Sequence, residues 1–169
     1  MSELITTIGP GDLGWIISSH GRIYSREFQF NSDFEVDIAG KAVSIVKKQD
    51  AFTRIWVKKV KKANAGSVAV SRNKEGIAFI DFLLVLEPYR KNGIARELMG
   101  TAVHHARTSG FPCVQLETYS CLKNARKLYA DLGFQMIRKN RKSNLYGRQA
   151  DQEFWELVLQ QPGEYRLSL

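Results

Sequence analysis

From 79 to 99 the sequence reads FIDFLLVLEPYRKNGIARELM, an apolar run that stops at Glu-Pro and passes through a glycine into helical periodicity. A short apolar run bounded by turn signals is a buried strand, whereas Ile94, Leu98, Ala102 and Ala106 recur at the spacing of one helical face. Strand, glycine turn and helix in that order leave the first amides of the helix without intrahelical acceptors. Such a start holds phosphate, because free N–H groups and the positive end of the helix dipole face the anion and Gly93 lets the backbone come close. Arg90 and Lys91 add charge. No Gly-Lys-Ser/Thr follows, so nucleotide hydrolysis with magnesium is disfavoured.

The remaining elements fit around this unit. Residues 4–8 read as a short strand, and Asp12 is suited to cap a helix opening at Leu13, with Leu13, Ile17, His20, Tyr24 and Phe28 on one face and a weak point or break at Gly21. SDFE at 32–35 has the form of a capping box, which accounts for Glu35, and Phe34, Ile38, Ala42 and Ile45 form the stripe of a second helix ending near Lys48. Segments 54–60, 66–71 and 77–86 predict an antiparallel meander with turns at KKANA and NKEG. A helix over about 91–108, a strand over 111–117 and a helix over about 122–132 follow, then two late strands near 134–138 and 153–159. Strand, helix, strand implies a right-handed crossover between parallel strands. With no repeat or linker, residues 1–169 are expected to form a single α/β domain.

Hydrophobic residues make up 44% of the chain, which separates it from disordered sequences. No apolar run approaches the roughly 20 residues that span a bilayer, and no secretory signal precedes the first elements, so a cytoplasmic location is expected. Lys and Arg exceed Asp and Glu by 25 to 17, a charge of +8 that favours anionic partners without identifying one. Cys113 and Cys121 match neither a disulfide framework nor a zinc motif and read as buried thiols. His104 and His105 lack a ligand-spaced partner, and no metal is expected. GPGDLG at 9–14 fits a dinucleotide pattern only by coincidence, since no βαβ unit surrounds it. VKKVKK at 57–62 reads as a solvated, aggregation-blocking edge rather than a nucleic-acid site. IRKNRKSNLYGR at 137–148 carries five basic residues and no acid, a basic rim that would suit a partner carrying carboxylate or phosphate.

RKNGIA at 90–95 resembles the pyrophosphate loop Arg/Gln-x-x-Gly-x-Gly/Ala of the GNAT superfamily of acetyl-coenzyme A N-acyltransferases. LETYSCLKNARKLYADLGF at 116–134 is similar to that superfamily's later strand and helix, with its Ala-x-x-Leu-Tyr-x-x-x-Gly-Phe ending. More loosely, PGDLGWIISSHGRIYSREF resembles bacterial acetyltransferases found alone or fused to MarR-type regulators. The resemblance implies a mixed, mostly antiparallel sheet with one splayed parallel pair, flanked by about four helices. It implies acetyl-CoA as donor, with Leu83, Leu84 and Val85 on the pantetheine arm and the Leu83 amide on the acetyl carbonyl. Arg90, Lys91, Asn92, Gly93, Ile94, Ala95 and Arg96 would hold the pyrophosphate, and Tyr129 would protonate the departing thiolate. Leu122 stands where many members carry Asn, so Asn124 does not simply inherit that contact. The first helix would form the acceptor wall through His20, Tyr24 and Glu27. Dimers are common in the superfamily, so a homodimer is possible.

Transfer to an amine needs a base, a donor for the carbonyl oxygen and an acid for the thiolate. Asp81 lies in an apolar strand two residues before Leu83, and strand alternation puts both on one face; it is the first candidate base. Glu117, at the end of the neighbouring strand, is the second. Pairing with a basic residue is the plainer explanation of Asp81, and periodicity alone would assign Tyr129 to the core. The function so expected is acetyl transfer from acetyl-CoA to a primary amine of a small molecule or peptide, in a ternary complex. The alternative is a non-catalytic acyl-CoA-binding or regulatory module; nucleic acid and membrane are not expected partners.

Overall fold

The apolar run at 79–86 forms the central strand of a seven-stranded sheet in the computed structural model, which describes residues 2–5 and 8–159. In chain order the elements are β1 (Ser2–Ile5), α1 (Asp12–Phe28), α2 (Ser32–Lys47), β2 (Arg54–Val60), β3 (Ala63–Arg72), β4 (Ala78–Val85), a 3-10 turn (Glu87–Tyr89), α3 (Ile94–Thr108), β5 (Cys113–Tyr119), α4 (Lys123–Asp131), β6 (Gln135–Leu145) and β7 (Arg148–Val158). The strands lie in the order β1-β2-β3-β4-β5-β7-β6. Every neighbouring pair is antiparallel except β4 and β5, which α3 connects. This is the expected mixed α/β architecture. Only three rungs join the parallel pair: Ala78 with Val114, Phe79 with Gln115 and Ile80 with Leu116. Beyond the Ile80–Leu116 rung the two strands run on without pairing to each other, so they splay and open a wedge in the middle of the sheet.

The helices cover the two faces as their stripes dictate. On one, Leu98, Ala102 and Ala106 of α3 pack fully buried against Val68, Val70, Ile80 and Leu116. On the other, α2 buries its whole expected stripe of Phe34, Ile38, Ala42 and Ile45. In α1 the deepest apolar residues are Ile16 and Ile23, so the helix is rotated from the expected face. It also runs unbroken through Gly21, where Glu35 of α2 fills the space that a side chain would need.

Several local expectations require correction. Gly11, at a φ of 92°, caps α1. Asp12 sits inside the first turn instead, where its carboxylate accepts from the Gly9 amide and from Asn64. Asn31, not Ser32, caps α2 by accepting the Asp33 amide. The lysines of 57–62 do not form a sheet edge, because β1 covers β2, and Lys58 is buried against Glu97 of α3 at 2.5 Å. The two late strands extend into a long hairpin that turns at Tyr146-Gly147, whose φ values of 51° and 87° fit a type I′ turn. The basic stretch 137–148 is therefore mostly edge strand rather than loop. At the turn, Tyr146 reaches back to α2, donating to Asp37 at 2.8 Å and packing on Phe34.

One irregularity positions the site. Ser67 pairs with Leu84 but Ala69 pairs with Asp81, so Val68 stands opposite both Phe82 and Leu83, and Phe82 takes a φ of 57°. This β-bulge breaks the alternation of side chains. Asp81 faces Lys41 of α2, Phe82 packs on His20 of α1, and Leu83 joins the α3-side core. Asp81 and Leu83 thus lie on opposite faces, contrary to the alternation expected for a regular strand.

Just beyond the bulge, Gly66 of β3 pairs with Val85, and a Cβ there would lie 2.7 Å from the Leu84 carbonyl oxygen. That obstacle is backbone, so Gly66→Ala is expected to destabilise the protein by about 1–3 kcal/mol, read from urea unfolding midpoints. An unchanged midpoint would show that β3 and β4 separate freely at this rung.

Candidate active site

The wedge past Ile80 opens into a cavity of about 630 Å³ between the end of β4, the start of α3, the start of α4 and α1. All residues assigned to the donor except Asn92 and Tyr129 line it. Asn92 turns inward on its own loop, donating to the carbonyls of Tyr89 and Arg90 at 3.4 and 3.3 Å. The helix begins only at Ile94, later than the expected 91, because Lys91 and Gly93 both take left-handed conformations with φ of 64° and 78°. Gly93 as the cap offers no side-chain acceptor, so the first-turn amides of α3 have none within the helix or from its cap.

The charges on this cavity are nearly all positive. Arg90, Lys91, Arg96 and Lys123 line it, and the one acid among its described lining residues is Glu27. Glu27 accepts two hydrogen bonds from Arg90, at 3.0 and 2.9 Å. Burial would raise its carboxyl, but the Arg90 hydrogen bonds and charge, with Arg26 nearby, hold it below the ordinary range. Arg90 also donates to the Val85 carbonyl at 3.0 Å, so the pair ties α1 to the end of β4.

A second cavity, of about 60 Å³, adjoins the first on the α1–α2 face, and Leu83 and Tyr24 line both. Its charges are inverted. Asp81 of β4 and Glu117 of β5 face it, with Lys41 of α2 at 3.9 Å from Asp81 and 3.6 Å from Glu117. Burial raises the Asp81 carboxyl, and Glu117 adds to the rise while Lys41 opposes it. Glu117 also accepts from Gln152 at 2.8 Å.

Tyr129, His20 and Tyr24 complete the wall. Tyr129 is buried, packs on Phe134 and Trp155, and has its phenol pushed up by burial, so it stays protonated at neutral pH. Burial raises Tyr24 as well, with Tyr129 among its neighbours. His20 Nδ1 lies 2.8 Å from the Ile16 carbonyl, which can only accept; the neutral ring therefore carries its proton on Nδ1. Burial lowers its pKa to about 4, so His20 is neutral at physiological pH.

The structure brings Asp81, Glu117 and Tyr129 to one small cavity and the phosphate-loop residues to the other. It also adds residues that sequence reasoning missed. Lys41 passes in a sequence for part of a solvated helix face, and nothing in its spacing shows that it bridges two strands. Cys121, Lys123 and Asn124 line the larger cavity through the turn into α4. Both cysteines are partly rather than fully buried. None of the five basic residues at 137–148 lines either cavity, so the expected basic rim is absent from the site. His105 is satisfied by the Phe52 carbonyl at 2.7 Å. Among the described residues no cluster of His, Cys, Asp and Glu could hold a metal, and no helix is long and apolar enough to cross a membrane.

Residues 20–134 match the family model described as Acetyltransferase (GNAT) family. No curated protein matches the sequence. Among solved structures, an N-acetyltransferase from Staphylococcus aureus Mu50 is similar at a TM-score of 0.78 and 15% identity, covering 95% of this chain and 99% of that one. The yncA protein of Salmonella typhimurium, solved with its cofactor acetyl-CoA, has a TM-score of 0.77 and 15% identity, covering 96% of each chain. A ribosomal-protein-alanine N-acetyltransferase from Brucella melitensis has a TM-score of 0.75 and 13% identity, covering 93% of this chain and 99% of that one.

Proposed function

The chain belongs to the GNAT acetyltransferase family, and we propose that it transfers the acetyl group of acetyl-CoA directly to a primary amine, with donor and acceptor bound together. The observation that carries this is the meeting of two oppositely charged cavities at Leu83 and Tyr24. The larger cavity fits the donor: its four cations and the first amides of α3 suit a pyrophosphate, and the apolar end of β4 suits a pantetheine arm. When bound, acetyl-CoA supplies an activated thioester. The smaller, acidic cavity suits the amine.

In this reading each residue has a limited task. Lys91 and Arg96 hold phosphate together with the α3 amides, and Arg90 braces the end of β4 through the Val85 carbonyl and α1 through Glu27. The Leu83 amide, which lies within the bulge, donates to the acetyl carbonyl. Asp81 accepts the amine's proton, suited to it by a carboxyl raised through burial. Glu117 adds a second carboxylate to the same cavity from β5. Tyr129, protonated because it is buried, gives its proton to the thiolate.

The test is a melting experiment followed by turnover. Acetyl-CoA should raise the melting temperature according to RT ln(1 + [L]/Kd). A panel of primary amines and their N-acetylated counterparts should then release thiol only with the free amines. No melting shift at millimolar acetyl-CoA would overturn the donor assignment; a shift without thiol release from any primary amine would overturn the acceptor assignment.

A further inference from the structure

Asp81 is a largely buried carboxylate that receives no hydrogen bond from any described side chain or backbone amide outside its strand, and Glu117 across the wedge has only Gln152. A carboxylate in that position normally has a tightly held cation. Lys48 also acts on Asp81 but is bound to Ser71 and the Arg72 carbonyl outside the cavity, so Lys41 is the cation that lines it; its contacts of 3.9 and 3.6 Å lie beyond hydrogen-bond reach and its side chain is 43% exposed. It reaches in from the surface of α2, whereas the two acids are fixed on strands. The other ionisable groups on this cavity bring no charge to balance the acids: His20 is neutral on α1, and Tyr24, Tyr119 and Tyr129 are held protonated by burial. A primary ammonium has three donors in a compact head, enough to bond both carboxylates at once.

Resting on the amine-acceptor reading above, we propose that Lys41 is a displaceable occupant of the acceptor's ammonium seat, holding the place between Asp81 and Glu117 in the free protein and yielding it to the substrate amine. Lys41 then sets specificity by competition. An acceptor must outbid a tethered ammonium, so the site selects amines whose remaining structure gains contacts elsewhere and discriminates against simple ones. The long, water-exposed contact makes that competition modest. Once the seat is taken, Asp81 lies beside the incoming nitrogen and takes its proton, and Lys41 moves into solvent.

The experiment uses n-butylammonium chloride as probe on the full-length chain, at pH 7.5 and constant ionic strength, with binding followed by carboxyl-carbon NMR. Lys41→Ala and Lys41→Gln should each bind the probe about fivefold more tightly than the unmodified protein. Asp81→Asn placed in the Lys41→Ala background should remove that gain, and n-butanol should bind none of the variants differently. Equal affinity in the unmodified protein and both Lys41 variants overturns the proposal, as does a gain that survives Asp81→Asn. None of these readings involves acetyl-CoA. Failure of the transferase reading would appear separately, as an absent acetyl-CoA melting shift or absent thiol release.

Discussion

Tyr129→Phe is expected to lower the rate of thiol release by about 10²–10³-fold while leaving the affinity for acetyl-CoA nearly unchanged. The substitution removes one oxygen and no ring contact, so the packing on Phe134 and Trp155 persists. Among the described residues the phenol makes no hydrogen bond that its loss would strand, so stability should change little. A buried phenol that cannot ionise near neutral pH is a poor base but a usable acid, and the departing thiolate is the group that needs one. Turnover measured at saturating amine, with donor affinity measured by calorimetry, separates chemistry from binding. Full turnover in the variant would show that solvent protonates the thiolate and that Tyr129 serves only the core.

Acidification should expose a second buried group. His20 has an ordinary pKa of 6.5 once unfolded and about 4 in the folded protein, lowered by burial against the hydrogen bond to Ile16. Between those values the unfolded chain binds a proton that the native state refuses. The stability due to neutral His20 is therefore complete above pH 6.5 and declines as pH falls toward 4, by about 3 kcal/mol in all. Urea unfolding at pH 7 and pH 4 measures the drop, and His20→Gln, whose amide can still donate to Ile16, should show a drop smaller by about that amount. Equal drops in the two proteins would mean that His20 charges freely in the native state.

The sequence made the scaffold readable because the scaffold depends on local physics. The α2 and α3 stripes buried as their spacing required, and a strand running through a glycine turn into a helix led to the loop at 90–96. The smaller cavity was less readable, since it depends on a bulge with no strong local mark. Phe82 at a φ of 57° moves Leu83 to the face opposite Asp81, and a strand read by alternation conceals this. Lys41 was invisible for a related reason, because its partners lie on β4 and β5, distant in sequence. The caps failed by a single residue at Asn31 and Gly11, where neighbouring polar and glycine residues offered equally good alternatives. The long hairpin was underestimated because 139–152 is too polar to read as strand.

That hairpin has a consequence for how the chain is made. Phe30 packs against Tyr119 and Tyr146 and Phe34 against Tyr146, and the Tyr146 carbonyl accepts from the Asn31 amide at 2.9 Å. The Tyr146–Asp37 bond joins residues 109 positions apart. On the ribosome, the aromatic face of the first two helices packs on β2–β4 but therefore lacks its last partners until most of the polypeptide has emerged. The N-terminal helical pair must wait, sticky and incomplete, for the last two strands, so translation that stalls before 146 leaves a species suited to chaperone capture rather than a partly working enzyme.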